Sequence, residues 1–193
     1  MSYIGNNNLS KKWSFMNEIH HRNYNFAGDL EQLLIRTGIG YNFSQTSNFL
    51  AGYGFINTGK YDSINHKSYF NEHRLFLQYT SSTRFNRFYL DQRNRIEERF
   101  KQNHFSFRIR YFSQIICPLN KKNLDKNTFY LMAYNELFIN FKAPRFDRNR
   151  LGAAVGFCFN KDLRIELGIM NQTLETKQRA QFQLVFYNTM DFL

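Results

Sequence analysis

The chain of 193 residues has few of the features that interrupt or cross-link a fold. It contains only 2 prolines and 2 cysteines. Because proline cannot donate to a β-ladder, its scarcity leaves room for long strands. No apolar run approaches the roughly 20 residues that a membrane-spanning helix needs, and the mean hydropathy is -0.57. A helical span is therefore not expected, but barrel strands hide their apolar residues at alternate positions.

The scarce cysteines and the polar N-terminus limit the chemistry further. Cys117 and Cys158 fall on different predicted strands, where alternation places them on opposite faces, so no disulfide is expected. No spacing of histidine and cysteine resembles a zinc site, and we expect no metal and no cofactor. Met1–Lys12 is polar and carries no export signal. An exported protein should have one, so we expect this start to be a mature or truncated form.

Aromatic residues are abundant, at 18% of the chain with 22 Phe and 12 Tyr, which favours strands. The clearest pattern lies at Leu163–Gln172, where two unlike faces alternate with a period of two. One face carries Leu163, Ile165, Leu167 and Ile169. The other face carries Arg164, Glu166, Gly168, Met170 and Gln172. This segment is predicted to be a β-strand with one apolar and one polar face.

The same alternation recurs along the chain and predicts about ten strands with no amphipathic helix. The segments are Lys12–Arg22, Asp29–Phe43, Phe49–Ile56, Phe70–Tyr79, Arg84–Phe100, His104–Cys117, Phe129–Phe141, Asp147–Phe159, Leu163–Gln172 and Arg179–Thr189. No linker separates them, so we expect a single domain over residues 1–193.

The segments between these strands predict two unlike ends. Ser44–Asn48, Thr80–Thr83 and Asn160–Asp162 are short and rich in turn-forming residues. Asn57–Ser68 is predicted to be a long loop at the other end, as expected of outer-membrane barrels, whereas the long Pro118–Asn127 connection breaks that rule. Aromatic residues flank two of the turns on one face, with glycines on the other, which fits an aromatic girdle and a crowded interior.

The direction of the two faces separates a soluble β-protein from a membrane barrel. The polar faces mix glycine and alanine with long arginine and glutamate side chains, as suits a packed interior. They also carry both signs of charge, which need partners in a confined space. Many segments reach ten or more residues, whereas strands of soluble proteins usually have about five or six. The predicted fold is all-β: a closed, antiparallel, up-and-down transmembrane β-barrel of about ten strands.

Ten charged residues on the polar faces form the candidate site: Arg93, Arg95, Glu97, Arg99, Arg108, Arg110, Glu136, Arg150, Arg164 and Glu166. A barrel of about ten strands is only slightly wider than one that side chains can fill. The simpler interpretation is a salt-bridge network that mostly plugs the lumen. The alternative is a binding or selectivity site for an anion or acidic solute, which arginine forks would recognise.

The histidines and the single tryptophan give weaker signals. His20, His21, His66, His73 and His104 fit ordinary strand-end or loop positions, and no nucleophile-elbow motif accompanies them. An enzyme would need a histidine beside a nucleophile, and His20, His21 and Glu136 are the residues that such a hypothesis would use. Trp13 is expected to be an anchor at a membrane interface.

Several short motifs resemble the strands of one uncharacterised family. They are Asn94-Arg95-Ile96-Glu97-Glu98-Arg99-Phe100, Arg108-Ile109-Arg110-Tyr111, Tyr134-Asn135-Glu136-Leu137-Phe138, Asp147-Arg148-Asn149-Arg150-Leu151 and Glu166-Leu167-Gly168-Ile169-Met170-Asn171-Gln172. The chain, from Trp13 to Phe192, is similar to a domain-of-unknown-function family of predicted Gram-negative outer-membrane β-barrels. The resemblance implies the barrel and its location, and it implies no activity.

The function expected from the sequence is that of a bacterial outer-membrane β-barrel with a charged lumen, and its role is structural, binding or narrow solute passage. Its expected partners are outer-membrane lipids, lipopolysaccharide and the outer-membrane assembly machinery, and a monomer is expected. The alternatives are an outer-membrane enzyme acting on lipid or peptide and a soluble lipocalin-like barrel. The net charge of +11 also allows a nucleic-acid binder, but that would require the charged face to meet solvent. We expect no nucleic-acid partner.

Overall fold

The structure, a computed structural model, describes residues 1–25, 28–102 and 104–192. Every regular element within these ranges is a strand: β1 (Ser2–Asn8), β2 (Trp13–Asn23), β3 (Leu30–Asn42), β4 (Ser47–Tyr61), β5 (Lys67–Phe85), β6 (Phe88–Lys101), β7 (His104–Pro118), β8 (Thr128–Asn140), β9 (Phe146–Cys158), β10 (Leu163–Thr173) and β11 (Gln178–Asn188). Within these ranges, no helix is long and apolar enough to cross a membrane.

The strands form one closed barrel in chain order, and each consecutive pair is antiparallel. The all-β barrel is confirmed, but the prediction of about ten antiparallel strands was wrong. There are 11 strands, and an odd number brings the first and last strands together in parallel, as β1 and β11 are. The strand missed by the sequence pattern is β1, because Ser2–Asn8 is polar and is held by backbone pairing along β2.

Two segments that were predicted to be connections belong to strands in the structure. The predicted loop Asn57–Ser68 is mostly a β-ladder, with a turn only at 62–66, and the predicted turn Thr80–Thr83 lies inside β5. Both segments are polar, so hydropathy alone assigned them to loops. Their backbone groups nevertheless pair across the hairpin, and the side chains of Asn57 and Asn71 hydrogen-bond to each other at 2.8 Å.

The predicted faces are found as expected. On β10, Leu167 is 64% exposed and Ile169 59% exposed on the outer surface, whereas Glu166 is 2% exposed on the inner surface. The ladder places Glu166 opposite Gly156 and Leu167 opposite Val155, so each face continues around the wall. The apolar stripes therefore point out of the barrel and the charged stripes point in.

Aromatic side chains cluster on the outer surface near both ends of the barrel. We call the end with the β1–β2, β3–β4, β5–β6, β7–β8 and β9–β10 turns the first end, and the opposite end the second end. Near the first end, ring contacts run through Trp13, Tyr41, Phe43, Phe49 and Tyr79. Near the second end, they run through Phe100, Phe105, Phe107 and Phe141.

Glycines on the inner surface make room for large side chains from neighbouring strands. A Cβ atom at Gly156 would lie 2.0 Å from Cζ of Tyr130, and one at Gly52 would lie 2.4 Å from Cζ of Phe76. Tyr130 is fully buried, and its hydroxyl donates to Glu166 at 2.8 Å, so its ring cannot move aside freely. The predicted role of glycine in a crowded interior is thus seen directly at these two positions.

The pairing between β1 and β11 is short. Only Ser2–Gly5 of β1 pair with β11, at Val185–Asn188. Among the described residues, Gln178–Leu184 have a strand partner only on the β10 side. No Cα atom of β2 lies within 8 Å of one in β11.

Replacing Gly156 with alanine should destabilise the barrel because the new methyl group overlaps the fixed ring of Tyr130. Overpacking of this kind costs about 1–3 kcal/mol, which urea unfolding followed by circular dichroism would measure. Gly54→Ala is the matched control, since its Cβ would come no closer than 3.0 Å to another atom, at Cγ of Arg36. Equal effects of the two substitutions would contradict this packing role.

Candidate functional site

The candidate site is the charged lumen, and its centre is Glu97 on β6. Glu97 is 1% exposed and is surrounded by four arginines. Arg110 Nη1 lies 2.6 Å from Oε1 and Arg108 Nε lies 3.1 Å from Oε2, both as hydrogen bonds. Arg95 and Arg74 approach the carboxylate at 3.7 and 3.8 Å. One carboxylate therefore balances guanidinium groups from three neighbouring strands.

Glu136 on β8 is a second centre, joined to the first through Arg110. Its Oε1 accepts hydrogen bonds from Arg93 at 2.8 Å and from Arg110 Nε at 3.1 Å. Arg150 approaches the other oxygen at 3.7 Å and donates from Nε to Gln172 at 2.9 Å. The carboxylate of Glu136 is thus the shared counter-ion of three arginines.

The network continues toward the second end through residues that the sequence pattern did not single out. Glu72 accepts from Arg99 at 2.6 Å and from Arg74 at 2.7 Å. Asp147 accepts from Arg108 at 2.7 Å. A separate pair on β2 and β3 joins Glu18 to Arg36 at 3.0 Å. Strand register would have found the last pair, because Glu18 and Arg36 are directly opposite each other on adjacent strands.

Aromatic rings lie beneath several of the inner guanidinium groups. The buried ring of Phe138 lies 4.7, 4.9 and 5.0 Å from the guanidinium carbons of Arg110, Arg150 and Arg108. Arg95 lies 4.3 Å from the centre of the Phe76 ring. Cation–π contacts of this kind stabilise desolvated arginines without neutralising their charge.

All ten predicted residues lie on the inner surface, but the structure does not bring them all together. Eight of them belong to the network around Glu97 and Glu136. Arg99 is connected to it indirectly, because Arg99 binds Glu72, Glu72 binds Arg74, and Arg74 approaches Glu97. Arg164 and Glu166 lie outside this network, nearer the first end. Glu166 instead accepts hydrogen bonds from Tyr130 at 2.8 Å and Tyr187 at 2.9 Å. Arg164 stacks on Tyr187 at 4.3 Å and pairs with no carboxylate of the described residues.

The lumen encloses a cavity of about 1670 Å³ in which positive charge is in excess. Eleven arginines and six carboxylates line this cavity. Hydrogen bonding satisfies many of the guanidinium groups, but the carboxylates are too few to neutralise them. Arg22, which was not predicted, also lines the cavity without an ion pair to any carboxylate in the described ranges. The site can therefore accept an anion.

His20, His21 and Glu136, the three residues of the enzyme hypothesis, do not come together in one site. His21 is exposed, Glu136 lies in the arginine network, and only His20 has a hydroxyl neighbour. His20 Nδ1 lies 2.8 Å from Ser2 Oγ, and its Nε2 lies 3.3 Å from Glu18. The row Ser2–His20–Glu18 was missed because Ser2 and His20 are neighbours only through the β1–β2 ladder.

A small polar cluster at the second end joins the β2–β3 connection to the β4–β5 hairpin. Lys67 and Tyr61 both donate to the carboxylate of Asp29, and the hydrogen bond from Lys67 is the main cause of a lowered Asp29 pKa. In residues 1–25, 28–102 and 104–192, no group of His, Cys, Asp or Glu has the arrangement of a metal site. Cys117 and Cys158 are both free.

Replacing Glu97 with glutamine should destabilise the protein strongly, because four arginines lose their shared counter-charge. Removing one partner of a buried ion pair typically costs about 3–5 kcal/mol, measurable as a loss in the free energy of unfolding. The control is Glu175→Gln, an exposed carboxylate in the β10–β11 turn. A Glu97 variant as stable as this control would show that the network does not hold the fold.

Comparison with known proteins gives a family and no activity. No curated protein and no solved structure matches the chain. A family model described as "Protein of unknown function (DUF2490)" matches residues 1–183, from the N-terminus into β11. This match agrees with the resemblance to an uncharacterised family that the strand motifs carry. The chain belongs to the DUF2490 family of proteins of unknown function.

Proposed function

We propose that this protein is a bacterial outer-membrane β-barrel whose charged lumen binds or admits an anionic solute. The observation that carries the proposal is the inversion of the usual arrangement of a soluble protein. Aliphatic and aromatic side chains cover the outside, and arginine and glutamate fill the inside. Lipid is the solvent that suits such an outer surface.

The dimensions of the outer surface support the membrane assignment. Along β7, the outward side chains from Phe105 to Ile115 are apolar or aromatic apart from Ser113. Ten residue steps of about 3.3 Å, tilted by about 40°, span about 25 Å along the barrel axis. This matches the apolar band of an outer-membrane barrel, and the aromatic clusters near the two ends lie where its girdles are expected.

The rival binding functions fit less well. A soluble barrel would expose Leu77, Leu167 and Phe182, which are 64%, 64% and 90% exposed, to water. A lipocalin-like protein binds apolar ligands, whereas arginines line this lumen. A nucleic-acid binder would need its basic face outside, and most of the arginines point inward.

The lumen role follows from the charge imbalance. Eleven arginines against six carboxylates favour an anion over a cation or a neutral solute. We propose that the tightly paired centre around Glu97 and Glu136 is structural. Arg22 and Arg164, which pair with no carboxylate in the part of the chain that the structure describes, are then the residues that meet solute. Membrane lipids, lipopolysaccharide and the outer-membrane assembly machinery are the proposed partners of a monomeric barrel.

Fractionation of a Gram-negative host that expresses the protein tests the membrane assignment. We expect recovery in the outer-membrane fraction and a faster gel mobility before boiling than after, because a closed barrel resists unfolding by detergent. Recovery only as a soluble protein, with no heat-dependent change in mobility, would exclude the proposal.

A hydrolase is a second candidate, supported by the row Ser2–His20–Glu18. The order of hydroxyl, imidazole and carboxylate is that of a nucleophile, a base and an orienting acid. We rank it second because Arg36 Nη2 lies 3.4 Å from His20 Nε2 and disfavours the imidazolium that a general base must form.

Assay of the purified barrel with fluorogenic short-chain esters tests the second candidate. If the row is catalytic, Ser2→Ala and His20→Ala should each lower any hydrolysis by at least about a hundredfold, while His21→Ala leaves it intact. We expect no such activity, and an esterase rate that depends on Ser2 and His20 would promote this candidate over solute binding.

A further inference from the structure

The connections at the two ends of the barrel differ in charge. The five second-end connections carry three cations and three carboxylates, namely Lys142, Arg145, Lys177, Asp29, Asp62 and Glu175. The five first-end connections carry seven cations and two carboxylates, namely Lys11, Lys12, Arg87, Lys121, Lys122, Lys126, Lys161, Asp125 and Asp162. Within the described residues, only Lys161 among these seven cations forms an ion pair. The first end is therefore a basic surface with few counter-ions of its own.

Most of this positive charge is gathered on two neighbouring segments. The tip of the β5–β6 hairpin carries Arg84 and Arg87, and the β7–β8 connection carries Lys121, Lys122 and Lys126. We call these five residues the basic lip. The two segments, residues 84–87 and 119–127, contain one carboxylate, that of Asp125. The basic lip therefore has a net positive charge that its own segments do not neutralise.

Hydrogen bonds hold the two segments of the basic lip together. Arg84 donates from Nη2 to the backbone oxygen of Lys122 at 3.2 Å and to Asn123 Oδ1 at 2.6 Å. Arg87 donates from Nη2 to the backbone oxygen of Leu119 at 3.1 Å. The acceptors are uncharged, so they fix the positions of both guanidinium groups without cancelling their charge.

Apolar side chains lie on the outer face of the wall beside the basic lip. Phe85 and Phe88 are opposite each other at the tip of the β5–β6 hairpin, and Phe85 is 79% exposed. Leu119 and Phe129, which flank the β7–β8 connection, are also exposed. This combination suits the interface of a bilayer, where apolar groups meet acyl chains and long basic side chains reach the phosphates.

We propose that the basic lip binds the phosphate headgroups of anionic glycerophospholipids, while Phe85 and Phe88 lie among their acyl chains. The inference rests on the proposed membrane location. Charge complementarity favours an anionic headgroup over a zwitterionic one. Phospholipid is favoured over lipopolysaccharide because four of the five first-end connections have four residues or fewer, as periplasmic turns do, and the periplasmic leaflet consists of phospholipid.

Brominated phospholipids would report which lipid lies at the basic lip. The chain has one tryptophan, so Trp13→Phe combined with Phe85→Trp leaves a single reporter there. The barrel is inserted into vesicles of phosphatidylcholine and phosphatidylglycerol, with one lipid brominated at a time. Quenching should show phosphatidylglycerol enriched about fivefold over its bulk fraction, the effect of roughly one basic residue at an anionic surface. High salt should reduce the enrichment, because it screens exposed charges.

Two triple variants with equal losses of charge separate the basic lip from the charge of the whole molecule. The lip variant carries Lys121→Gln, Lys122→Gln and Lys126→Gln, and it keeps both arginines that join the two segments. The control variant carries Lys142→Gln, Arg145→Gln and Lys177→Gln at the second end. We expect the lip variant to reduce the enrichment to below about twofold and the control variant to leave it unchanged. Equal losses in the two variants would contradict a local site.

The remaining outcomes separate this inference from the proposed membrane location. Equal quenching by the two brominated lipids in an inserted barrel, or full enrichment in the lip variant, would overturn this inference alone. Displacement of phosphatidylglycerol by lipopolysaccharide at about a tenth of its concentration would assign the surface to lipopolysaccharide and also overturn it. A protein that neither brominated lipid quenches, and that shows no heat-dependent gel mobility, would reject the membrane location and this inference together.

Discussion

The inner ion pairs around Glu97 and Glu136 set the register of half of the barrel. They join β5, β6, β7 and β9, which supply the arginines, to β8, which supplies Glu136. A slip of one residue on β6 would turn Glu97 and Arg95 outward and bring Ile96 and Glu98 into the lumen. The ion pairs of Glu97 with Arg74, Arg108 and Arg110 would then break, and the charges of Arg95 and Glu97 would lie among the apolar side chains of the outer surface. The ion pairs inside the barrel therefore also determine which residues face outward.

The opposite side of the wall lacks such a constraint. β10, β11, β1 and β2 are held by backbone ladders, by the tyrosines that bind Glu166, and by the short β1–β11 pairing. Within the described residues, the carboxylates that several arginines share therefore lie on the β5–β9 side of the wall.

Period-two alternation was sufficient to predict the strands that carry both faces, the direction of those faces and the inward position of all ten candidate residues. It failed where side chains do not alternate in hydropathy, as in β1 and the outer parts of the β4–β5 hairpin, because backbone pairing alone forms those ladders. It also could not pair Glu166 with Tyr130 and Tyr187, or reveal Arg22 as unpaired. Those facts depend on the register between strands, which places Gly156 between Glu166 and Tyr130.

The range of electrostatic forces decides where an anion would be held. Screening in salt of about 0.15 M limits exposed charges to about 8 Å, so the excess of inner arginines acts on a ligand only once it is inside. An anion must then be selected by direct contact with the arginines. The paired arginines around Glu97 could take a ligand only by giving up a carboxylate, whereas Arg22 has no carboxylate partner among the described residues. Binding of an anion at Arg22 would therefore leave the network that specifies the fold intact.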